Sequence, residues 1–137
     1  LIDANVFISA VKKGWTKTTE LIFHLLTNFE FELIANDVLL AEYEKYAIEL
    51  NALQFLEFLK IRLTMINPGE EEIERCKPYF PESAAADIVH AATCLEAEAV
   101  LITNDKHFDD IKEAGLIEVW SIPEAISRLL DGNSMRG

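Results

Sequence analysis

Short apolar runs alternate along this chain with longer stretches of helical period. Leu1 and Ile2 read as the tail of a strand. The chain opens without Met and already inside that run, so a few residues are expected to precede it. Val6 to Val11 starts a helix or an irregular segment, and "KKGWTK" is a loop with exposed basic residues around Trp15. Leu21, Ile22, Leu25 and Leu26 recur at helical spacing and predict a helix from Thr18 to about Asn28. "FELIA" is a short strand. Asn36 or Asp37 then caps a helix running to about Leu50. A further helix, Ala52 to Leu63, carries Leu53, Leu56, Leu59 and Leu63 along one stripe, and "TMI" is a strand closed by the Asn67-Pro68-Gly69 turn.

The second half repeats the alternation. "EEEIERCKPYF" opens on three acids, which suit a helix N-terminus, and Pro78 ends it. Ser83 is expected to cap a helix through about Ala97. "AVLIT" is the next strand, Phe108 to Glu113 a short helix stopping near Gly115, "LIEVW" a strand, and "SIPEAISRLL" a last helix with Pro123 in its first turn. The pattern predicts one domain over residues 1–131 and a frayed tail over 132–137. Apolar strands alternating with helices predict an α/β fold with a mostly parallel sheet, whose ligands gather beyond the carboxyl ends of the strands.

Composition adds limits. Half of the 137 residues are hydrophobic, which suits a soluble globular domain, and no apolar run reaches the roughly 20 residues that span a bilayer. No basic, apolar leader opens the sequence. Cys76 and Cys94 are the two cysteines, too few for a disulfide framework or a zinc site, and they read as buried reduced thiols of a cytoplasmic protein. The formal net charge of −12 argues against a nucleic-acid binder that works through a basic patch. That argument weakens where acids hold divalent cations, which reverse the local field. A basic partner protein also suits such a surface.

The charge matters most at the strand ends. "LID" places Asp3 at the end of the first strand, and "LITND" places Asp105 at the end of a later one, so both should share one sheet edge. Asp87 is a lone early acid in the alanine-rich helix "SAAADIVHAATCL" and needs a partner or a ligand, because an unpaired buried charge is costly. Glu42 and Glu44 both sit in the helix after the second strand; they point about 200° apart, so only one can face the site. No Lys or Arg is placed to pair with these acids, and Lys106 is expected to point to solvent. Clustered carboxylates repel one another, and a divalent cation removes that conflict. Oxygen ligands suit Mg²⁺ or Mn²⁺, and such a centre implies hydrolysis of phosphodiester bonds.

Four segments, "LIDANVFIS", "IANDVLLAEYEKY", "ADIVHAATCLEAEAVLITND" and the "KHF" that follows, resemble the PIN-domain family of metal-dependent ribonucleases, in the family's order and over nearly the whole chain. The resemblance implies a three-layer α/β/α sandwich with a mostly parallel sheet of about five strands. It implies an acidic quartet of Asp3, Glu42, Asp87 and Asp105 as catalytic and metal-holding residues, thereby choosing Glu42 over Glu44. Asn5 matches a polar position that orients the site, and Thr103 the hydroxyl before the last acid. The family often has a further acid where this chain has His107, so one Mg²⁺ or Mn²⁺ ion is expected rather than two. Small PIN domains are often toxins of VapBC-type toxin–antitoxin pairs; an antitoxin partner, an RNA substrate and a homodimer follow as expectations.

The remaining residues have plainer readings beside functional ones. Lys12, Lys13, Trp15 and Lys17 form a loop suited to gripping phosphate and stacking a base, or an uninvolved exposed loop. His107 contacts substrate or merely replaces an acid. His90 reads as a packed or solvated helix residue that has the option of facing the site, and His24 as surface or core edge. The leucine stripe with Phe55 and Phe58 reads as core, with one side open to a subunit or antitoxin. An aspartyl phosphatase is disfavoured because position 5 is Asn, and a phospho-acceptor domain because "LIEVWSIPEA" supplies no Lys. A PIN fold serving only as an interaction module is the alternative to an enzyme, and retention of all four acids favours the enzyme.

Overall fold

Side chains start the helices, and where each helix starts decides where the acids lie. The computed structural model describes residues 1–131; the tail expected to fray lies outside them. Asp3 ends the first extended segment and its carboxylate accepts the backbone N–H of Ala4, so helix α1 (Ala4–Lys12) begins at once. Thr16 and Thr19 form a reciprocal capping box at the start of α2 (Lys17–Thr27). After strand β1 (Leu33–Ala35), Asn36 caps α3 (Asp37–Glu49) through a bond from Leu39 N. α4 (Leu53–Arg62) runs directly into β2 (Leu63–Met65), and α5 (Glu70–Cys76) follows with its three acids in the first turn.

α6 (Ala85–Ala97) departs from expectation at its start. Its cap position is Ala84, which makes no side-chain cap bond, because residues 81–84 close a turn through Ala84 N to the Pro81 carbonyl. Ser83 therefore stands one residue too early and is exposed. The shift puts Asp87 in the first turn of α6, where the helix dipole favours a negative charge. β3 (Val100–Ile102) leads through Asp105, which caps a single 3-10 turn over Lys106–Phe108, into α7 (Asp109–Ala114). α7 ends on Gly115 at φ 72°, a conformation that disfavours any residue with a Cβ. β4 (Glu118–Trp120) and α8 (Ile122–Ile126) complete the order, the latter capped by Ser121 and continued by a π turn over Ser127–Asp131.

The strands are parallel, as the alternation predicts, but they pair in twos. β1 pairs with β2 and β3 with β4, each over three residues, and a single parallel bridge from Ile2 to Ile102 lays the first segment beside β3. A continuous sheet of about five strands is not formed by these pairings among the described residues. The alternating backbone groups of the first segment show why. Leu1 N, Leu1 O and Asp3 N all bond toward β3, which turns the Ile2 carbonyl the other way. The buried Tyr43 hydroxyl of α3 donates to that carbonyl, where a neighbouring strand would otherwise bond.

One apolar core joins the elements. Phe7, Leu21, Ile22, Leu26, Leu39, Tyr43, Leu56, Leu59, Leu101, Phe108 and Ile111 are all fully enclosed, and Phe7 lies 5.3 Å from the Tyr43 ring. Cys76 and Cys94 are free and buried, and burial pushes the Cys76 thiol up to about 11, so neither is a ready nucleophile. The leucine stripe of α4 divides as its breadth suggests: Leu56 and Leu59 are buried, while Leu53, Phe58 and Ile61 face outward. His24 sits at the core edge against Phe31. No helix among the described residues is long and apolar enough to cross a membrane.

The Tyr43 bond gives a direct test of this arrangement. Replacing Tyr43 with Phe leaves the Ile2 carbonyl unpaired in the core and should lower stability by about 1–3 kcal/mol. Urea unfolding should show a lower midpoint with an unchanged slope.

Candidate metal centre

The carboxyl ends of the first segment and of β3 meet at one hydroxyl. Thr103 Oγ1 donates to Asp3 Oδ2 at 2.7 Å and accepts from Asp105 N at 3.0 Å. The other oxygen of Asp3 accepts from Ala4 N at 2.8 Å. Asp3 is thereby held at 6% exposure with both oxygens engaged, each retaining a lone pair.

The four acids named from sequence fall into two groups of three, each completed by a histidine. The ligand atoms of Asp3, Glu42 and His90 lie within 4.8 Å of one another, and so do those of Asp87, Asp105 and His107. His90 Nε2 stands 2.8 Å from Glu42 Oε1, and His107 Nδ1 lies 3.1 Å from Asp87 Oδ2 and 3.4 Å from Asp105 Oδ1. α6 serves both groups, since Asp87 and His90 are three residues apart on it. Thr103 links the groups through Asp3 and the backbone of Asp105. Glu44 is exposed, while Glu42 sits at the buried group.

The other sequence candidates divide. Asn5 lies in the first turn of α1, and its Oδ1 is buried with no hydrogen-bond partner. His107 stands among the acids, 64% exposed. Lys12 and Lys13 fall at the far end of α1, about 14 Å of helix rise from Asp3. Trp15 is exposed there and packs on Phe23. Lys106 is exposed, as expected. Sequence reasoning missed Asn36 as a site residue; His90, read as packed or solvated with the option of facing the site, is packed at 1% exposure and bonded to both Asn36 and Glu42. Lys45, also unremarked, lines a shallow groove beside Glu42 together with Val38, Ala41 and Ala86.

The electrostatics record crowding. Burial holds the Asp3 carboxyl above the usual carboxylate range, against the opposing hydrogen bond from Thr103 and the nearby His90. Burial likewise raises Asp87, with the charge of Asp105 adding to it and His107 opposing. No Lys or Arg forms an ion pair with any of the four acids among the described residues. Carboxylate oxygens at the ends of parallel strands, with an orphaned buried amide oxygen two residues from Asp3, fit a hard divalent cation. Asp3, Glu42, Asp87 and Asp105 are the residues that would hold it.

An α/β domain with parallel strands, whose strand ends gather acids and, among the described residues, no balancing lysine or arginine, is the class that fold and site define. The PIN-domain family model matches residues 1–114, and the chain belongs to the PIN-domain family, whose members are generally nucleases. Among solved structures, the chain is similar to that of VapBC-1 from nontypeable Haemophilus influenzae. Their identity is 24% and the TM-score 0.61, with 89% of this chain and 96% of that one covered. That likeness shows the fold. No curated protein matches the chain.

The raised acids make stability depend on pH with a definite sign. Between the ordinary value of 3.8 and the raised folded value, the folded chain binds more protons than the unfolded one. Metal-free stability contributed by Asp3 and Asp87 therefore falls as pH rises through that window. Urea midpoints in EDTA, from about pH 4 to about pH 7, should show wild type losing more stability than Asp87→Asn. At neutral pH the variant should be the more stable of the two. A variant less stable than wild type at neutral pH would contradict the burial argument.

Proposed function

We propose that this PIN domain is a divalent-metal-dependent ribonuclease that hydrolyses RNA phosphodiester bonds with Mg²⁺ or Mn²⁺, and that it is the toxin of a toxin–antitoxin pair. The observation that carries the nuclease reading is the gathering of Asp3, Glu42, Asp87 and Asp105 into two adjoining groups without a lysine or arginine partner among the described residues. When bound, a divalent cation supplies Lewis acidity, polarising a phosphoryl oxygen and making water a better nucleophile.

The chain's own residues supply position and proton handling. Asp3 is fixed by Thr103 and Ala4 and offers its remaining lone pairs from a set direction. Glu42, half-buried beside it, accepts from an attacking water. Asp87 and Asp105 take up the second side, and Asn5 and Thr103 orient carboxylates rather than contact RNA. Lys45 borders the groove beside Glu42 and would meet a phosphate that enters it. The toxin reading rests on the fold shared with VapBC-1 and on the acidic charge, which suits a basic antitoxin segment. A homodimer in the cytoplasm belongs to the same reading.

Calorimetric titration of Mn²⁺ into wild type and Asp87→Asn, with single-stranded RNA cleavage followed on the same samples, tests it. Metal binding and cleavage in wild type should both be lost in the variant. Loss of an outer hydrogen-bonding partner typically costs 10- to 100-fold, so loss of a direct ligand should exceed about 100-fold. Equal weak binding in both, with no cleavage in either, would hand the fold to the alternative reading, an interaction module whose acids face a partner protein.

A further inference from the structure

The buried group contains a hydrogen-bond chain whose direction is fixed at its far end. Asn36 Oδ1 accepts from Leu39 N at 2.7 Å to cap α3. That bond settles which way the amide points, so Asn36 Nδ2 is the atom that faces His90 Nδ1 and Thr93 Oγ1, each at 3.1 Å. An amide nitrogen has two protons and accepts nothing. Thr93 spends its own proton on the Val89 carbonyl at 2.8 Å and accepts from Asn36. His90 Nδ1 must therefore accept as well, and carries no proton. The imidazole proton then resides on Nε2, which stands 2.8 Å from Glu42 Oε1 and donates to it. Asn36 and His90 are 0% and 1% exposed, so water does not offer either of them an alternative partner.

The closeness of His90 to Asp3 and Glu42 invites another assignment, in which its Nε2 is itself a metal ligand. Ligation needs a lone pair on Nε2, which requires the proton to move to Nδ1. There it would meet the Asn36 amide, and two buried donors would face each other with no acceptor. The cap of α3 therefore works against ligation.

We propose that His90 is a positioning residue for Glu42 and not a metal ligand: the Asn36 amide keeps its proton on Nε2, and that N–H orients the Glu42 carboxylate beside Asp3. The proposal rests on the reading of Asp3 and Glu42 as one half of the cation centre. α3 thus sets the direction of its own Glu42 through a residue of α6, tying the placement of the carboxylate to the packing of the two helices.

The decisive measurement is the ¹⁵N signature of the His90 ring, assigned by comparison with His90→Gln. It is recorded in wild-type protein without metal and again saturated with Zn²⁺, a diamagnetic ion that readily takes imidazole. A protonated Nε2 and a bare Nδ1 in both states are expected. A proton on Nδ1 without metal, or loss of the Nε2 proton on adding Zn²⁺, overturns the proposal. Asn36→Ser keeps a cap oxygen but removes the amide donor, so its His90 should lose the single tautomer; an unchanged signature would overturn the role given to Asn36.

Function is read with Mn²⁺ and single-stranded RNA. His90→Leu should lose about 10- to 100-fold in Mn²⁺ affinity or cleavage, and His90→Gln, which retains an N–H donor, should recover most of it. Equal losses in two folded variants would mean a packing role only and would overturn the proposal, as would no loss in His90→Leu. Wild-type protein that binds Mn²⁺ but cleaves no RNA would count against the nuclease reading alone, because the ring signature and Mn²⁺ affinity still decide the place of His90.

Discussion

The hydroxyl of Thr103 is the joint on which the site depends. A parallel strand that ends leaves its last residues without ladder partners, and two such ends lie side by side here. One hydroxyl answers both, giving its proton to Asp3 and its lone pair to the backbone of Asp105. Because Thr103 is buried and β-branched, it holds few rotamers, and the two acids inherit its rigidity. Asp3 then starts α1 and Asp105 starts the turn before α7, so the same joint sets the direction of the chain after both strands.

A conflict between local and collective stability follows from that geometry. Each acid is well placed by itself: Asp3 and Asp105 are caps, and Asp87 lies in the first turn of a helix, where the dipole favours negative charge. Parallel strands bring those helix starts to one edge, and carboxylates that are favourable singly become unfavourable together. Burial raises the affinity of Asp3 and Asp87 for protons, and the neighbouring carboxylates add to it. Among the described residues, histidines rather than lysines or arginines stand beside the acids. A divalent cation would offset the charge of the acids without a buried ion pair, which would close the site.

The sequence made the strand-then-acid pattern visible because a strand end is local: "LID" and "LITND" announce both the run and its carboxylate. The helices were legible for the same reason, through their periodicity. Features that depend on distant partners were not. Asn36 and His90 are 54 residues apart, and neither has a local signature for their bond, although Asn36 was already a cap candidate and His90 one turn beyond Asp87. Ser83 failed as a cap because a turn through Pro81 takes up the residues before α6, a choice that composition does not reveal. The strands pair in twos, and on the open side of the first segment the Tyr43 hydroxyl of α3 meets the Ile2 carbonyl from inside the core, a contact between distant residues.

The two groups of acids differ in how firmly they are held, and the difference has a physical origin. Both polar atoms of the Asn36 side chain, both ring nitrogens of His90 and both carboxylate oxygens of Asp3 have protein partners. A side chain in that condition can turn only by breaking a buried bond, so Asp3 and His90 are pre-set before any ligand arrives, while Glu42 beside them, 31% exposed, is held through one oxygen. His107 is two-thirds exposed, and Asp87 and Asp105 each keep contact with water. Rotation there exchanges a protein partner for a solvent one at little net change in free energy. A centre built this way would fix position from the inner side and adjust to a ligand from the outer side. That division puts the demanding geometry on the elements that pack the core, and leaves the adaptable contacts on the turn that faces solvent.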